Sequence, residues 1–179
     1  MDRVLLITPP YHCGVVESAG RWPNLGFAYI AGELRKAGFD VVIYDAMSKF
    51  HGYLEIRTTI ESVRPNFVAS TAYTATINDA VKVLALAKEI DPTITTFVGG
   101  VHPTFCYDEV LRQHGDAVDY CVLGEGELTA PELLLAINSG SDISKIRGIA
   151  FRRGDEVVRT APRALIQDLD SLRPAWDLV

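Results

Sequence analysis

The sequence predicts an α/β protein built on a doubly wound, flavodoxin-like or Rossmann-like parallel sheet of five strands with helices on both faces. Short apolar runs alternate along the chain with longer segments whose apolar residues recur at helical spacing. That alternation is typical of βαβ units, which build parallel sheets. The apolar runs are also continuous, as expected of strands that helices cover on both faces. A C-terminal β-hairpin and a linker complete the predicted fold.

The first half of the chain is predicted to contain three strands and two helices. The β-branched run Asp40–Tyr44 (DVVIY) is typical of a strand. Gly38 and Pro65 each follow a segment of helical periodicity, and both residue types commonly end helices. The predicted elements are strand Arg3–Ile7, helix Leu25–Ala37, strand Asp40–Tyr44, helix Tyr53–Val63 and strand Phe67–Thr71.

The second half continues the pattern with two strands and three helices. Thr76 precedes an amphipathic segment and is suited to cap it, and Asp91-Pro92 ends the same segment. Gly99-Gly100 ends the strand that follows. The predicted elements are helix Thr76–Ile90, strand Thr93–Val98, helix Tyr107–His114, strand Asp119–Leu123 and helix Glu127–Asn138.

The character of the sequence changes toward the C-terminus. Gly148–Arg152 and Glu156–Arg159 flank a polar, glycine-containing turn and indicate a small β-hairpin. The last stretch, Pro162–Val179, contains prolines, acidic residues and a tryptophan, so it either packs on the domain or links it to a further domain. We therefore divide the chain into an α/β domain, residues 1–140, and a hairpin and linker, residues 141–179.

Composition and charge exclude several classes of protein. With 17 Lys and Arg against 23 Asp and Glu, the net charge is −6, which disfavours binding to nucleic acid or to an anionic membrane. No apolar run approaches the roughly 18–20 residues that span a bilayer, and no signal-peptide pattern opens the sequence. Three cysteines at irregular spacing do not make a disulfide framework. We expect a cytoplasmic protein with no nucleic-acid partner and no membrane span.

The loop after the first strand lacks the motifs of common nucleotide-binding folds. Residues 8–24 form an unusually long connection, without the Gly-x-Gly-x-x-Gly of a dinucleotide site or the pattern of a phosphate-binding loop. A response regulator would carry acidic residues after the first strand and a phosphorylatable Asp after the third. Thr8-Pro9-Pro10 and Thr71-Ala72 occupy those places, so this class is excluded as well.

Small residues dominate three successive strand ends. They are Ser70, Thr71 and Thr74 at the third strand, Gly99 and Gly100 at the fourth, and Gly124 and Gly126 at the fifth. Ligands of doubly wound sheets bind beyond the carboxyl ends of the strands, so these residues leave space there for a planar ligand or a long inserted tail. The four histidines show no metal-ligand spacing, and no Ser/His/Asp or Cys/His arrangement is visible. The sequence therefore predicts a binding module without visible catalytic chemistry of its own.

Two parts of this pattern resemble the cobalamin-binding signature. Ser70-x-Ala72, followed after 26 residues by Gly99-Gly100, is similar to its Ser-x-Leu…Gly-Gly half, with alanine in place of leucine. The other half, Asp-x-His-x-x-Gly, follows the first strand in that family and supplies an axial histidine. Here the segment reads Pro10-Tyr11-His12-Cys13-Gly14-Val15, which keeps the histidine and lacks the aspartate and the final glycine.

The combination resembles the N-terminal domain of cobalamin-dependent radical S-adenosylmethionine enzymes over nearly the whole chain. More narrowly, it is similar to the anaerobic magnesium-protoporphyrin IX monomethyl ester oxidative cyclase branch, which implies oxidative cyclisation of that porphyrin as the parent reaction. The segments that carry the narrower resemblance are Pro10-Tyr11-His12, Ala19-Gly20-x-Trp22-Pro23, Asp45-Ala46-Met47 and His102-x-Thr104-Phe105.

The family's catalytic barrel holds a [4Fe–4S] cluster through Cys-x-x-x-Cys-x-x-Cys, and this sequence contains no such triplet. The resemblance therefore implies that the cluster and S-adenosylmethionine belong to a C-terminal barrel that is missing here and is the partner of this domain. It also implies that this chain is not catalytic by itself.

The resemblance implies base-off cobalamin, with the corrin across the strand ends and the nucleotide tail beside the third and fourth strands. Ser70 and Thr71 would hydrogen-bond the tail or the corrin amides, and the two glycines after the fourth strand would leave room for the tail. His12 would be either an axial ligand of cobalt or a loop histidine facing the corrin or a substrate, since Pro10 replaces the aspartate that would orient it. The implied cofactor-binding residues are Tyr11, His12, Ser70, Thr71, Ala72, Thr74, Gly99, Gly100, Val101, His102, Pro103, Gly124, Glu125 and Gly126.

Two other interpretations stay open at this point: a flavodoxin-like module that binds another planar cofactor, and a ligand-free protein-interaction domain. The cobalamin interpretation requires open space beside Ser70 and Gly99-Gly100. It also predicts that Gly100→Leu abolishes corrin retention and leaves the fold intact. Asp45, at the end of the second strand, is either a contact of the corrin rim or the cap of a turn.

Overall fold

The computed structural model describes residues 1–11 and 22–179 of the chain. Its strands are β1 (Arg3–Ile7), β2 (Asp40–Tyr44), β3 (Phe67–Thr71), β4 (Thr95–Gly99), β5 (Tyr120–Val122), β6 (Ile149–Arg153) and β7 (Glu156–Arg159). Its helices are α1 (Leu25–Lys36), α2 (Ala46–Lys49), α3 (Tyr53–Val63), α4 (Ile77–Ile90), α5 (Val101–His114) and α6 (Thr129–Ser139). Short 3₁₀ turns follow at Ile143–Lys145, Leu169–Ser171 and Trp176–Leu178.

The described strands form one sheet in the order β2-β1-β3-β4-β5-β6-β7. β1 to β5 are parallel and follow the strand order of flavodoxin-like folds, so the predicted doubly wound α/β class is confirmed. The predicted number of strands was wrong, because β6 and β7 continue the same sheet in antiparallel orientation. The outer edge of β5 would otherwise leave backbone N–H and C=O groups unpaired, and the hairpin satisfies them by docking there.

Helices cover both faces of the sheet, as the continuous apolar strands predict. α3, α4 and α5 pack on one face, where Leu5 and Ile7 of β1 are fully buried. α1 and α6 pack on the other face against Val4 and Leu6. The side chains of a strand point to alternate sides, so one short strand contributes to both cores. Both α1 and α6 start at the carboxyl edge of the sheet, and their first turns flank that edge.

Most elements follow the prediction, and α5 is the main exception. β1, β2, β3 and α3 have the predicted bounds. α5 begins at Val101 rather than at Tyr107, and Cys106 interrupts it with non-helical backbone angles (φ −114°, ψ 23°). Pro103 fits the first turn because the N–H that proline lacks has no helical partner there. No helix in the described part of the chain is long and apolar enough to cross a membrane.

The C-terminal tail packs on α1, which is one of the two roles predicted for it. The backbone N–H of Ala175 donates to the carbonyl of Ala28 at 2.9 Å. Gly32 faces the tail, and a side chain there would collide with the backbone carbonyl of Arg173. The glycine therefore lets the tail lie directly on the helix. A linker role for the tail stays a prediction, as does the division of the chain at residue 140.

Candidate functional site

A cavity of about 290 Å³ opens at the carboxyl ends of β3, β4 and β5, on the face of the sheet that α1 and α6 cover. Its volume lies near the lower end of the roughly 300–1,000 Å³ of small-molecule sites. Phe27 and Ile30 of α1 and Phe97 of β4 form much of its apolar wall. Seven predicted site residues line it: Ser70, Thr71, Gly99, Gly100, Gly124, Glu125 and Gly126.

The two glycines after β4 have different structural roles. A Cβ at Gly99 would lie 3.7 Å from the carbonyl oxygen of Val122, which is ordinary contact, so this position is empty space at the cavity wall. Gly100 has φ +100°, and a Cβ there would lie 2.8 Å from the carbonyl oxygen of Ala72. The structure argues against the expectation that Gly100→Leu leaves the fold intact, because both the backbone angle and the close approach of the Ala72 carbonyl favour glycine.

Ser70 and Thr71 face different surroundings because they are neighbours in a strand. The Ser70 hydroxyl is buried and donates to the carbonyl of Ile7 at 2.9 Å, inside the sheet. Thr71 is half-buried at the mouth of the cavity, and its hydroxyl makes no hydrogen bond within the described residues. Of the two hydroxyls implied by the resemblance, the one on Thr71 is available to a ligand.

The loops after β4 and β5 are joined by one threonine. The Thr104 hydroxyl donates to the carbonyl of Gly100 at 2.7 Å and accepts from the backbone N–H of Gly124 at 3.0 Å. Gly126 is buried, and a Cβ there would approach the Cδ1 atom of Ile30 to 3.1 Å. These contacts hold the two loops at fixed positions around the mouth of the cavity.

The remaining predicted residues in the described range lie around the same edge and outside the cavity lining. The backbone N–H of His102 donates to the carbonyl of Ala72, and its Nδ1 lies 3.3 Å from the hydroxyl of Thr74. Val101 is exposed beside them, whereas Pro103 is buried. Tyr11 is half-buried at the last described residue before the gap.

Two predictions about polar residues have different outcomes. Asp45 caps α2, since its carboxylate accepts from the backbone N–H of Ser48 at 3.0 Å and from the hydroxyl of Thr8 at 2.8 Å. It acts as a turn cap, one of the two roles predicted for it. His12 lies outside the described residues, and its role as a cobalt ligand stays a prediction. Within the described ranges no group of His, Cys, Asp and Glu side chains could hold a metal ion.

Glu127 is a site residue that sequence reasoning missed, because an acidic residue before a helix is accounted for by the helix dipole. Its side chain lines the cavity, and its Oε2 atom is buried without a hydrogen-bond partner among the described residues. Burial raises the pKa of Glu127, and the nearby carboxylates of Glu125 and Glu33 raise it further. The wall residues Phe27 and Ile30 were also missed, since helical periodicity marks them only as core.

Four exposed apolar side chains follow the strand ends at which the cavity opens. We define the apolar rim as Tyr73, Val101, Phe105 and Leu128, which follow the carboxyl ends of β3, β4 and β5 and are each at least 41% exposed. Apolar side chains clustered on an exposed surface mark a place where a ligand or a partner binds. The edge therefore combines a narrow apolar cavity with a wider apolar surface around it.

Comparisons with known proteins agree with this geometry. Residues 11–134 match the B12 binding domain among protein families. The chain is 39% identical over 182 residues to anaerobic magnesium-protoporphyrin IX monomethyl ester cyclase from Rubrivivax gelatinosus, an alignment that covers 99% of this chain and 33% of the relative. The protein of the same name from Cereibacter sphaeroides is 35% identical over 181 residues, covering 99% of this chain and 29% of the relative. The chain thus spans about a third of the length of these curated relatives.

A solved structure shares the fold. The radical S-adenosylmethionine methyltransferase TsrM from Kitasatospora setae, with cobalamin and a [4Fe–4S] cluster bound, matches with a TM-score of 0.74 at 19% identity. The match covers 97% of this chain and 31% of TsrM. At this level of identity the likeness shows a common fold.

Proposed function

Because the chain belongs to the B12-binding domain family, we propose that it binds cobalamin with the nucleotide base detached from cobalt. The observation that carries this proposal is the 290 Å³ cavity at the carboxyl ends of β3, β4 and β5. It is too small for a corrin and has the apolar walls that suit one heteroaromatic base. The base would occupy the cavity, and the corrin would cover the apolar rim.

The described residues fit both parts of such a cofactor. Phe27 and Phe97 provide apolar and aromatic surface for a planar base, and the missing side chain of Gly99 leaves its entrance open. The loops joined by Thr104 would border the corrin, whose amide groups could hydrogen-bond their backbone. Bound cobalamin supplies a cobalt centre that can exchange electrons or carry a methyl group.

We also propose a reaction for the whole protein to which this chain would belong. The curated relatives above are cyclases of magnesium-protoporphyrin IX monomethyl ester and are about three times as long as this chain. We infer that the chain presents cobalamin to a radical S-adenosylmethionine barrel outside residues 1–179, and that the substrate is a porphyrin ester. A Cys-x-x-x-Cys-x-x-Cys triplet encoded downstream of Val179 would support this assignment.

Reconstitution tests the cofactor assignment directly. The 179-residue chain, mixed with hydroxocobalamin and passed through a desalting column, should retain about one cobalt per chain with a shifted visible spectrum. After reduction to the cob(II)alamin state, the electron paramagnetic resonance spectrum of a His12→Ala variant, which has no histidine ligand at this position, should lack the nitrogen splitting that a coordinated base produces. Loss of all cobalt on the column would refute the binding proposal. Retained cobalt with base-derived splitting would refute the base-off state alone.

A further inference from the structure

The buried part of the cavity lining is apolar. Its buried side chains are those of Leu6, Phe27, Ala69, Phe97, Val122 and Ala130, together with Ser70. Ser70 follows Ala69 in β3, so its side chain points to the opposite face of the sheet, where its hydroxyl donates to the carbonyl of Ile7. No buried side chain of the described lining therefore offers a hydrogen bond to a molecule in the cavity.

The carboxylates of the lining are paired within the protein. The Glu125 carboxylate accepts from the backbone N–H of Ile166 at 2.6 Å, and the Glu127 carboxylate accepts from the backbone N–H groups of Gly126 and Glu127. The carbonyl of Gly126 in turn accepts from the backbone N–H of Ala130 at 2.8 Å. These groups are used to build the site and are not left to bind a ligand.

Two polar side chains keep a free group at the mouth, in the part of the chain that the structure describes. Thr71 ends β3, and its hydroxyl makes no hydrogen bond. Asn24 precedes α1, and its side-chain oxygen alone is used, since it accepts from the backbone N–H of Phe27 at 2.9 Å. Both residues are half-buried. A ring nitrogen close to the mouth would find a partner here, whereas polar groups deeper in the cavity would find none.

We propose that the cavity selects corrinoids whose lower base is apolar, a benzimidazole or a phenol, over corrinoids whose lower base is adenine. This inference rests on the proposed function and names the class of corrinoid that the site accepts. The two bicyclic bases are similar in size, so the volume of the cavity does not separate them. Their hydrogen-bonding groups do. A benzimidazole released from cobalt exposes one ring nitrogen, whereas adenine carries an amino group and several ring nitrogens.

Burial of adenine in this cavity would leave several of its polar groups without partners. Outside the site, water binds the amino group and the ring nitrogens, and those hydrogen bonds are lost on burial. Each polar group left unpaired weakens binding by about 5- to 100-fold. The two methyl groups of dimethylbenzimidazole have the opposite effect, because the walls formed by Phe27 and Phe97 suit apolar surface.

Four corrinoids with the same upper ligand test the proposal on the 179-residue chain, with bound cobalt measured by equilibrium dialysis. They are cobalamin, adeninyl cobamide, p-cresolyl cobamide, whose phenolic base cannot coordinate cobalt, and cobinamide, which has no base. Adeninyl cobamide should bind about 10- to 100-fold more weakly than cobalamin and about as weakly as cobinamide. The p-cresolyl cobamide should bind at least as tightly as cobalamin. Adenine is the weaker ligand of cobalt and detaches more easily, so the detachment step cannot produce a preference for cobalamin.

Two threonine variants test whether the wall is the source of the preference. Val122 of β5 lines the cavity, whereas Val98 of β4 is buried on the opposite face of the sheet. Val122→Thr adds a hydroxyl to the wall and should reduce the preference for cobalamin over adeninyl cobamide at least about threefold. Val98→Thr buries the same hydroxyl away from the cavity and should leave the preference within about twofold. Melting temperatures verify that both variants are folded, and the four corrinoids on the unmodified chain decide if one is not.

The outcomes separate this inference from the function on which it rests. If the unmodified chain binds none of the four corrinoids, the proposed function itself is refuted. If it binds all four equally, no base enters the cavity, and both the placement of the base and the inference fail. If cobalamin and adeninyl cobamide bind equally and more tightly than cobinamide, the base enters and the inference alone fails. An unchanged preference in folded Val122→Thr would also overturn the inference, because the wall would not be its source.

Discussion

At the end of β4, two consecutive glycines illustrate how one residue type serves two purposes. Gly99 leaves space at the cavity wall, where a Cβ would make only ordinary contacts. Gly100 allows a left-handed backbone angle and the close approach of the Ala72 carbonyl. A sequence motif of two glycines does not separate these roles. The distances from an added Cβ to its neighbours separate the two roles. They show that a substitution at Gly99 can test binding, whereas a substitution at Gly100 also changes stability.

Gly99→Leu is expected to lower cobalamin affinity at least about 100-fold with little change in melting temperature, because the added side chain fills open space. Gly100→Ala is the matched variant and should lower the free energy of unfolding by about 1–3 kcal/mol through backbone strain. Binding is measured by titration of the visible spectrum and stability by urea denaturation. Retention of tight binding in Gly99→Leu would show that the base does not enter here.

The two hydroxyls at the end of β3 make a second residue-scale prediction. Ser70→Ala should lower the free energy of unfolding by about 1 kcal/mol, since it removes the buried hydrogen bond to Ile7, and should change cobalamin affinity little. Thr71→Val should weaken cobalamin binding about tenfold at unchanged stability, because its hydroxyl is free to meet the ligand. The reverse pattern would mean that the Ser70 hydroxyl leaves the sheet on binding.

At the scale of elements, α1 connects the site with the C-terminal tail. One side of the helix supplies Phe27 and Ile30 to the cavity wall. Another side carries Gly32, on which the tail lies, and the Ala28 carbonyl, which accepts from Ala175. The tail also supplies the backbone N–H that holds Glu125 at the mouth. The position of the site therefore depends on the segment that leads toward residue 179.

Gly32→Ala tests the packing of the tail on α1. Alanine favours helix over glycine by roughly 1 kcal/mol, so the substitution would stabilise a free helix. In the 179-residue chain it should instead displace the tail, lower the free energy of unfolding and speed hydrogen exchange at the Ala175 amide. The control is the same substitution in a chain that lacks residues 173–179, where it should stabilise. Stabilisation in both backgrounds would show that the tail does not lie on this face.

At the scale of the molecule, seven described strands form one sheet whose carboxyl edge gathers loops from distant parts of the chain. The hairpin covers the edge of β5, and helices cover both faces, so the carboxyl edge is where the apolar rim stays exposed. A bound corrin would cover the apolar rim and contact several of the loops at the carboxyl edge at once.

Cobalamin should therefore stabilise the whole molecule. At about 100 times its dissociation constant, a ligand that binds only the folded state adds roughly 2.7 kcal/mol, which corresponds to an increase of about 5–10 °C in melting temperature for a chain of this size. Differential scanning calorimetry measures the shift. Flavin mononucleotide at equal concentration is the control and should leave the melting temperature unchanged. An equal shift with the flavin would favour a module for a different planar cofactor.

Local sequence patterns were sufficient to predict the features that depend on neighbouring residues. Alternating periodicities predicted the parallel α/β sheet, and β1, β2, β3 and α3 match the predicted bounds because apolar runs and helix-ending residues act over a few positions. The same reasoning placed the candidate site at the carboxyl edge, where the cavity lies, since strand ends of a parallel sheet meet on one side. The family resemblance added the ligand class on the basis of a few small residues at those ends.

Which of these residues are free to bind a ligand depends on contacts that form in the folded chain. The Ser70 hydroxyl donates its hydrogen bond to the carbonyl of Ile7, 63 residues away in the chain. Gly100 has no room for a side chain because the Ala72 carbonyl lies next to it. The hairpin pairs with β5 and so becomes part of the sheet. Glu127 lines the cavity because the fold brings its loop next to α1 and the strand ends. Hydrogen bonding, burial and empty space all depend on contacts between segments far apart in the chain, and no local pattern encodes those distances.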